Sequence, residues 1–167
     1  MVLGMSLATF TWVHVVISLI AIVAGILVMI GMLAGQRLPS FTAIFLLFTI
    51  LTSATGFLFP VAQLMPSHVI GIISLLLLAL ACIALYGQKL AGWWRSIYVI
   101  TALLSLYLNV FVLVIQAFLK ISPLSAIAPG NPPTGPVFAA VQGLLLVAFA
   151  ALIFVAWRRF GPKNAAV

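Results

Sequence analysis

The chain has 167 residues, 66% of them hydrophobic and only 4% charged, and it contains no aspartate or glutamate. A soluble domain carries about a quarter charged residues, so this composition is that of an all-α, polytopic helical bundle whose solvent is lipid. The missing carboxylates exclude paired-acid hydrolysis, carboxylate calcium sites and carboxylate-bridged metal centres within the chain.

Residues 1–33 carry no charged side chain. A secretory signal would need a basic leader and a short apolar core, so the first segment, about Phe10 to Leu33, reads as a retained membrane helix. On it, His14, Ser18, Ala21 and Gly25 share a face that could receive a neighbour closely. Pro39-Ser40 signals the start of a second helix, Phe41 to about Pro60. Thr42, Thr49, Ser53, Gly56 and Pro60 form a stripe suited to close helix contact. A short uncharged turn, Val61 to Ser67, leads to a third helix from His68 to about Tyr86. Lys89 sits in a basic turn, and Trp93, Trp94 and Arg95 mark a membrane interface.

The fourth helix, Ser96 to Lys120, organises the rest. At 100° per residue, Thr101, Ser105, Asn109, Gln116 and Lys120 fall within an arc of about 100°. Such groups are costly in hydrocarbon and normally face a bundle interior or a wet cavity. Ile121 to Pro136 is a loop with five prolines and little capacity for regular structure. A fifth helix runs from Val137 to Trp157 and stops at Arg158-Arg159. The whole of 1–167 thus reads as one transmembrane domain.

Five spans put the termini on opposite sides. Arg37, Lys89, Arg95, Arg158, Arg159 and Lys163 then share one side, and Lys120 alone lies on the other. That asymmetry predicts an outside N-terminus and a cytoplasmic C-terminus. The basic residues read as topology anchors; a nucleic-acid surface would need a basic cluster on a solvated domain.

With this topology His14 and His68 head parallel helices at the outer face, and Asn109, Gln116 and Lys120 run towards the same face. Ser53, Thr55 and Gln142 belong to the outer half too. The similar openings His-Val-Val and His-Val-Ile hint at a duplicated helix pair. A shared outer pocket would gather His14, His68, Asn109, Gln116 and Lys120 beneath the proline-rich loop, with Gly25 and Gly71 letting the first and third helices approach below it. The alternative satisfies each polar group locally, by its own helix turn or by headgroups. His14 and His68 would also suit the two axial positions of a b-type haem, although Lys120 is the only basic residue on that side for its propionates. Met29, Met32 and the single cysteine, Cys82, read as packing residues.

The stretch LYLNVFVLVIQAFLKISPLSAIAP resembles a family of small bacterial inner-membrane proteins to which no activity is assigned; the likeness covers the layout of residues 10–158. It implies an inner-membrane location and no particular site. The His-headed helices are also similar to those of small cytochrome b561-type bundles, but the chain lacks the fuller set of buried histidines that two haems would need. The expectation is a non-catalytic accessory or binding subunit presenting an outer-leaflet pocket to a small ligand, lipid or partner, alone or with other membrane subunits or copies of itself. A mono-haem electron carrier and an oligomeric small-solute permease are the competing readings.

Overall fold

The computed structural model of the chain describes residues 1–60 and 66–161. Most of the turn expected at 61–67, and Lys163, lie outside the described residues. Five helices are long and apolar enough to cross a membrane. They are α1 (Leu7–Leu33), α2 (Pro39–Gly56), α3 (Pro66–Cys82, continued by a π-helical turn Ile83–Gly87), α4 (Trp93–Lys120) and α6 (Pro136–Arg159). A short helix, α5 (Ser122–Ile127), lies between α4 and α6. No strand occurs among the described residues. The chain is a multi-pass membrane protein.

Local chemistry sets the helix ends. Ser6 caps α1, its hydroxyl accepting from the Thr9 amide at 3.1 Å. The helix therefore starts three residues before Phe10. At its other end Gly35 adopts φ +70°, which lets the Gln36 amide reach the Gly31 carbonyl at 2.8 Å and the Gly35 amide reach Met32 at 3.0 Å. That paired closure satisfies two orphan carbonyls without a side chain. Pro39 and Pro66 open α2 and α3, where a missing amide proton costs nothing. The proline-rich loop is more ordered than its composition predicts. Pro123 sits in the first turn of α5, where its fixed φ suits a helix start.

The outer surface is apolar, unlike that of a soluble protein, and several hydroxyls are buried beside the apolar core. Leu144, Val147, Leu76, Val23 and Phe154 stand on the outside, while Thr42, Thr49, Ser53, Ser74, Thr101 and Ser105 are buried. Apolar exposure on every side is intolerable in water and neutral in lipid. Two of these buried hydroxyls return their proton to a carbonyl one turn back: Thr101 to Ile97 at 2.7 Å, and Ser105 to Thr101 at 2.9 Å.

Successive spanning helices run antiparallel. Arg95 at the start of α4 donates to the Trp157 carbonyl at 3.0 Å and to the Phe160 carbonyl. Arg159 at the end of α6 donates to the Leu33 carbonyl of α1 at 3.3 Å. These arginines gather at one end, the basic end, where they satisfy the last carbonyls of helices and oppose the negative pole of the macrodipole. They are therefore structural caps as well as candidate anchors.

The packed core lies towards that basic end. Phe45, Leu78, Leu103 and Leu106 are fully buried there beside Ala81, Ala84 and Ala102, whose small side chains let α3 and α4 meet closely. Helix α4 touches α1, α2, α3, α5 and α6, so it is the axis of the bundle. Only Gln142, Phe149 and Ala156 of α6 are buried. Two turns apart, they form the narrow stripe by which this helix leans on the others.

Candidate functional site

Gly25 decides where the core stops. A methyl group built there would sit 2.7 Å from Leu106 Cδ1 and 2.8 Å from Phe45 Cδ2. Only hydrogen lets α1 press against α4 and α2 at that height. Beyond it, towards the end that carries the proline-rich loop, a cavity of about 700 Å³ opens between α1, α2, α3 and α4. The size falls in the range of small-ligand sites.

Helix α1 lines the cavity with Thr11, His14, Val15, Ser18, Leu19 and Ile22, a single 3.6-period face. Thr52, Ser53 and Gly56 come from α2, and Phe57 and Phe59 from the segment after it. Helix α3 adds Ser67, His68, Ile70, Gly71 and Ser74. Helix α4 closes the circuit with Leu108, Asn109, Val112, Leu113, Gln116 and Lys120. All five residues singled out from the sequence, His14, His68, Asn109, Gln116 and Lys120, therefore border one space.

Several polar groups on α1, α2 and α3 are committed to one another or to carbonyls of their own helices. His14 Nδ1 is 2.8 Å from Thr55 Oγ1, and its ring meets Phe59 edge-on with centroids 5.2 Å apart. Ser18 donates to the His14 carbonyl at 2.8 Å, Thr52 to the Phe48 carbonyl at 2.8 Å, and Ser53 to Ser74 Oγ at 3.1 Å. His68 is buried, with its ring tilted on Phe57 at 5.5 Å. The two imidazoles thus lean on different phenylalanines of one short segment, and both border the cavity.

The α4 stripe divides. Thr101 and Ser105 are satisfied within their own helix and do not reach the cavity. Asn109 does, and its hydrogen bond among the described residues is long: Nδ2 to Thr49 Oγ1 at 3.5 Å, the outer limit for such a bond. It is half-buried rather than sealed in the core. Gln116 and Lys120 are exposed at the mouth.

Three expectations need correction. Gly25 brings α1 to α4 and α2, and a methyl on Gly71 would meet Phe57 at 3.0 Å, so neither glycine joins α1 to α3. The proline-rich loop does not roof the cavity; of its residues only Ile121 lines it. Helix α4 meets α6 through Tyr107 against Phe149 and Phe118 against Phe138, on the face opposite Asn109 and Gln116, so the loop leaves on the far side. Gln142 belongs to that far side as well. Its Nε2 donates to the Phe111 carbonyl at 3.2 Å, and its Oε1 is buried with no partner among the described residues.

Sequence reading missed Thr55 as the partner of His14, and Ser74 and the two phenylalanines as walls. Ser67, Ile70, Gly71 and Ser74 do share a helical face, a signal hidden by Val69, Ile72 and Ile73 between them. Ala21 and Gly25 turn to the core rather than the cavity, so the true α1 face is rotated from the expected one. No group of three or more His, Cys, Asp or Glu that could hold a metal ion occurs among the described residues. Comparisons with family models, curated proteins and solved structures find no match to the chain.

Proposed function

We propose that this protein is a non-catalytic binding subunit of a bacterial inner membrane, and that the cavity between α1, α2, α3 and α4 holds its ligand. The observation that supports this reading is the convergence of His14, His68, Asn109, Gln116 and Lys120, from three helices, on one space of about 700 Å³. Polar groups serving only as helix glue would pair across interfaces and leave no such volume. The excess of basic residues at the opposite end supports an outside cavity mouth and a cytoplasmic C-terminus.

The chemistry offered is recognition. The chain has no Asp or Glu side chain to act as a general base, and apolar walls with a few donors and acceptors suit selective binding. Extraction of the gently purified protein, followed by mass spectrometry, should yield a stoichiometric small molecule or lipid. Protein that purifies with nothing bound, from several gentle detergents, would count against the reading.

A second reading has one observation in its favour. Thr55 holds Nδ1 of His14, which is how a second-shell acceptor orients an axial imidazole, and His68 borders the same space. A b-type haem would give the purified protein a Soret band; a colourless stoichiometric complex would dismiss it.

A further inference from the structure

We infer that the ligand is a single-chain anionic amphiphile, its carboxylate or phosphate headgroup held at the mouth by Lys120 and its tail lying between α1 and α4. The inference rests on the binding reading above and names the ligand's class. It starts from charge. The chain has no Asp or Glu, so no side chain can neutralise Lys120 as it lines the cavity mouth. The other described lysine and arginines lie in the turns and helix ends of the basic end. An exposed ammonium beside apolar walls favours an anion over a neutral or zwitterionic head.

Donor chemistry agrees. The hydroxyls of Ser18, Thr52 and Ser53 have already given their protons to protein acceptors. The mouth of α4 offers three N–H donors from Lys120 and two from Gln116. A headgroup made of oxygen acceptors fits that set. Dimensions supply the third argument. From Asn109 to Lys120, and from Ile22 to Thr11, the lining extends eleven residues, or about 16 Å along a helix axis. One leaflet is half of a hydrocarbon core about 30 Å thick. A tail the length of one leaflet therefore reaches from the mouth to the Gly25 constriction. Its path is bordered by Leu19, Ile22, Leu108, Val112 and Leu113. Leu19 and Leu113 are also 44% and 40% exposed, so the wall between α1 and α4 is open at the side, where a lipid enters from the bilayer.

The test uses the full chain in neutral maltoside micelles carrying a fluorescent fatty-acid probe. Competitors are oleate, lysophosphatidylglycerol, lysophosphatidylcholine, monoolein and inorganic phosphate. Oleate and lysophosphatidylglycerol should displace the probe at concentrations about tenfold below those of monoolein and lysophosphatidylcholine. Inorganic phosphate should not displace it. Lys120→Gln should shrink the gap to about twofold or less, and Lys120→Arg should keep it. Equal displacement by oleate and monoolein would overturn the anionic headgroup while leaving a binding cavity. Displacement by inorganic phosphate as readily as by lysophosphatidylglycerol would overturn the lipid tail. Probe binding unchanged by Val112→Trp, which fills the cavity, would overturn the site itself.

Discussion

His14 Nδ1 lies 2.8 Å from Thr55 Oγ1, and that hydroxyl already gives its proton to the Leu51 carbonyl 2.7 Å away. A hydroxyl has one hydrogen, so the imidazole must donate from Nδ1 and keep Nε2 as its acceptor. The fold thereby selects the tautomer. Nitrogen NMR of the labelled protein should show a protonated Nδ1 and a bare Nε2 for His14. Thr55→Val should release that preference and cost about 1 kcal/mol of stability. The opposite tautomer in the unaltered protein would contradict this assignment.

Gly25 and Gly143 make a matched pair. A Cβ at Gly25 would meet Leu106 and Phe45 below 3.0 Å, whereas one at Gly143 would meet nothing within 4 Å. Gly25→Ala should therefore destabilise the bundle by about 1–3 kcal/mol, and Gly143→Ala should leave it unchanged or slightly better. Thermal unfolding in detergent reads both. Equal effects would mean that α1 does not press on α4 as described.

Arg95 and Arg158 are both basic, and among the described residues only Arg95 is held by hydrogen bonds. Arg95 gathers carbonyls at the end of α6, while Arg158 is exposed and lies 6.0 Å above the Phe154 ring. Arg95→Met should loosen that end by about 1–2 kcal/mol, seen as faster amide exchange at 157–161. Arg158→Met should not alter exchange there.

Asn109 separates glue from recognition. Its only side-chain bond among the described residues is at the distance limit, so Asn109→Leu should change unfolding by less than about 1 kcal/mol. Ligand retention should fall, because the substitution removes the most deeply placed carboxamide of the cavity. A large loss of stability with retention intact would make Asn109 structural instead.

The helices, and the five polar residues His14, His68, Asn109, Gln116 and Lys120 that border the cavity, were legible in the sequence because lipid enforces a simple rule. A polar side chain in a spanning helix must find either a partner or a space, so the stripe on α4 and the two histidines had to converge somewhere. What stayed hidden depended on rotation and distance. Ala21 and Gly25 look like part of the His14 face, yet a one-residue turn of α1 gives them to the core and gives Val15 and Leu19 to the cavity. Thr55 could not be paired with His14 before the crossing of α1 and α2 was known. Loop composition misled for a related reason: prolines exclude helix interiors but favour first turns, which is where Pro123 and Pro136 sit.

Native mass spectrometry of three proteins tests the central claim, that the cavity holds a ligand. Val112→Trp fills the cavity from α4, and Leu144→Trp adds the same bulk on the lipid-facing side of α6, where Leu144 is 72% exposed. The unaltered protein and Leu144→Trp should both carry a bound species of the same mass, and Val112→Trp should lack it while remaining folded. A bound species retained equally by folded Val112→Trp, or absent from all three, would contradict the account.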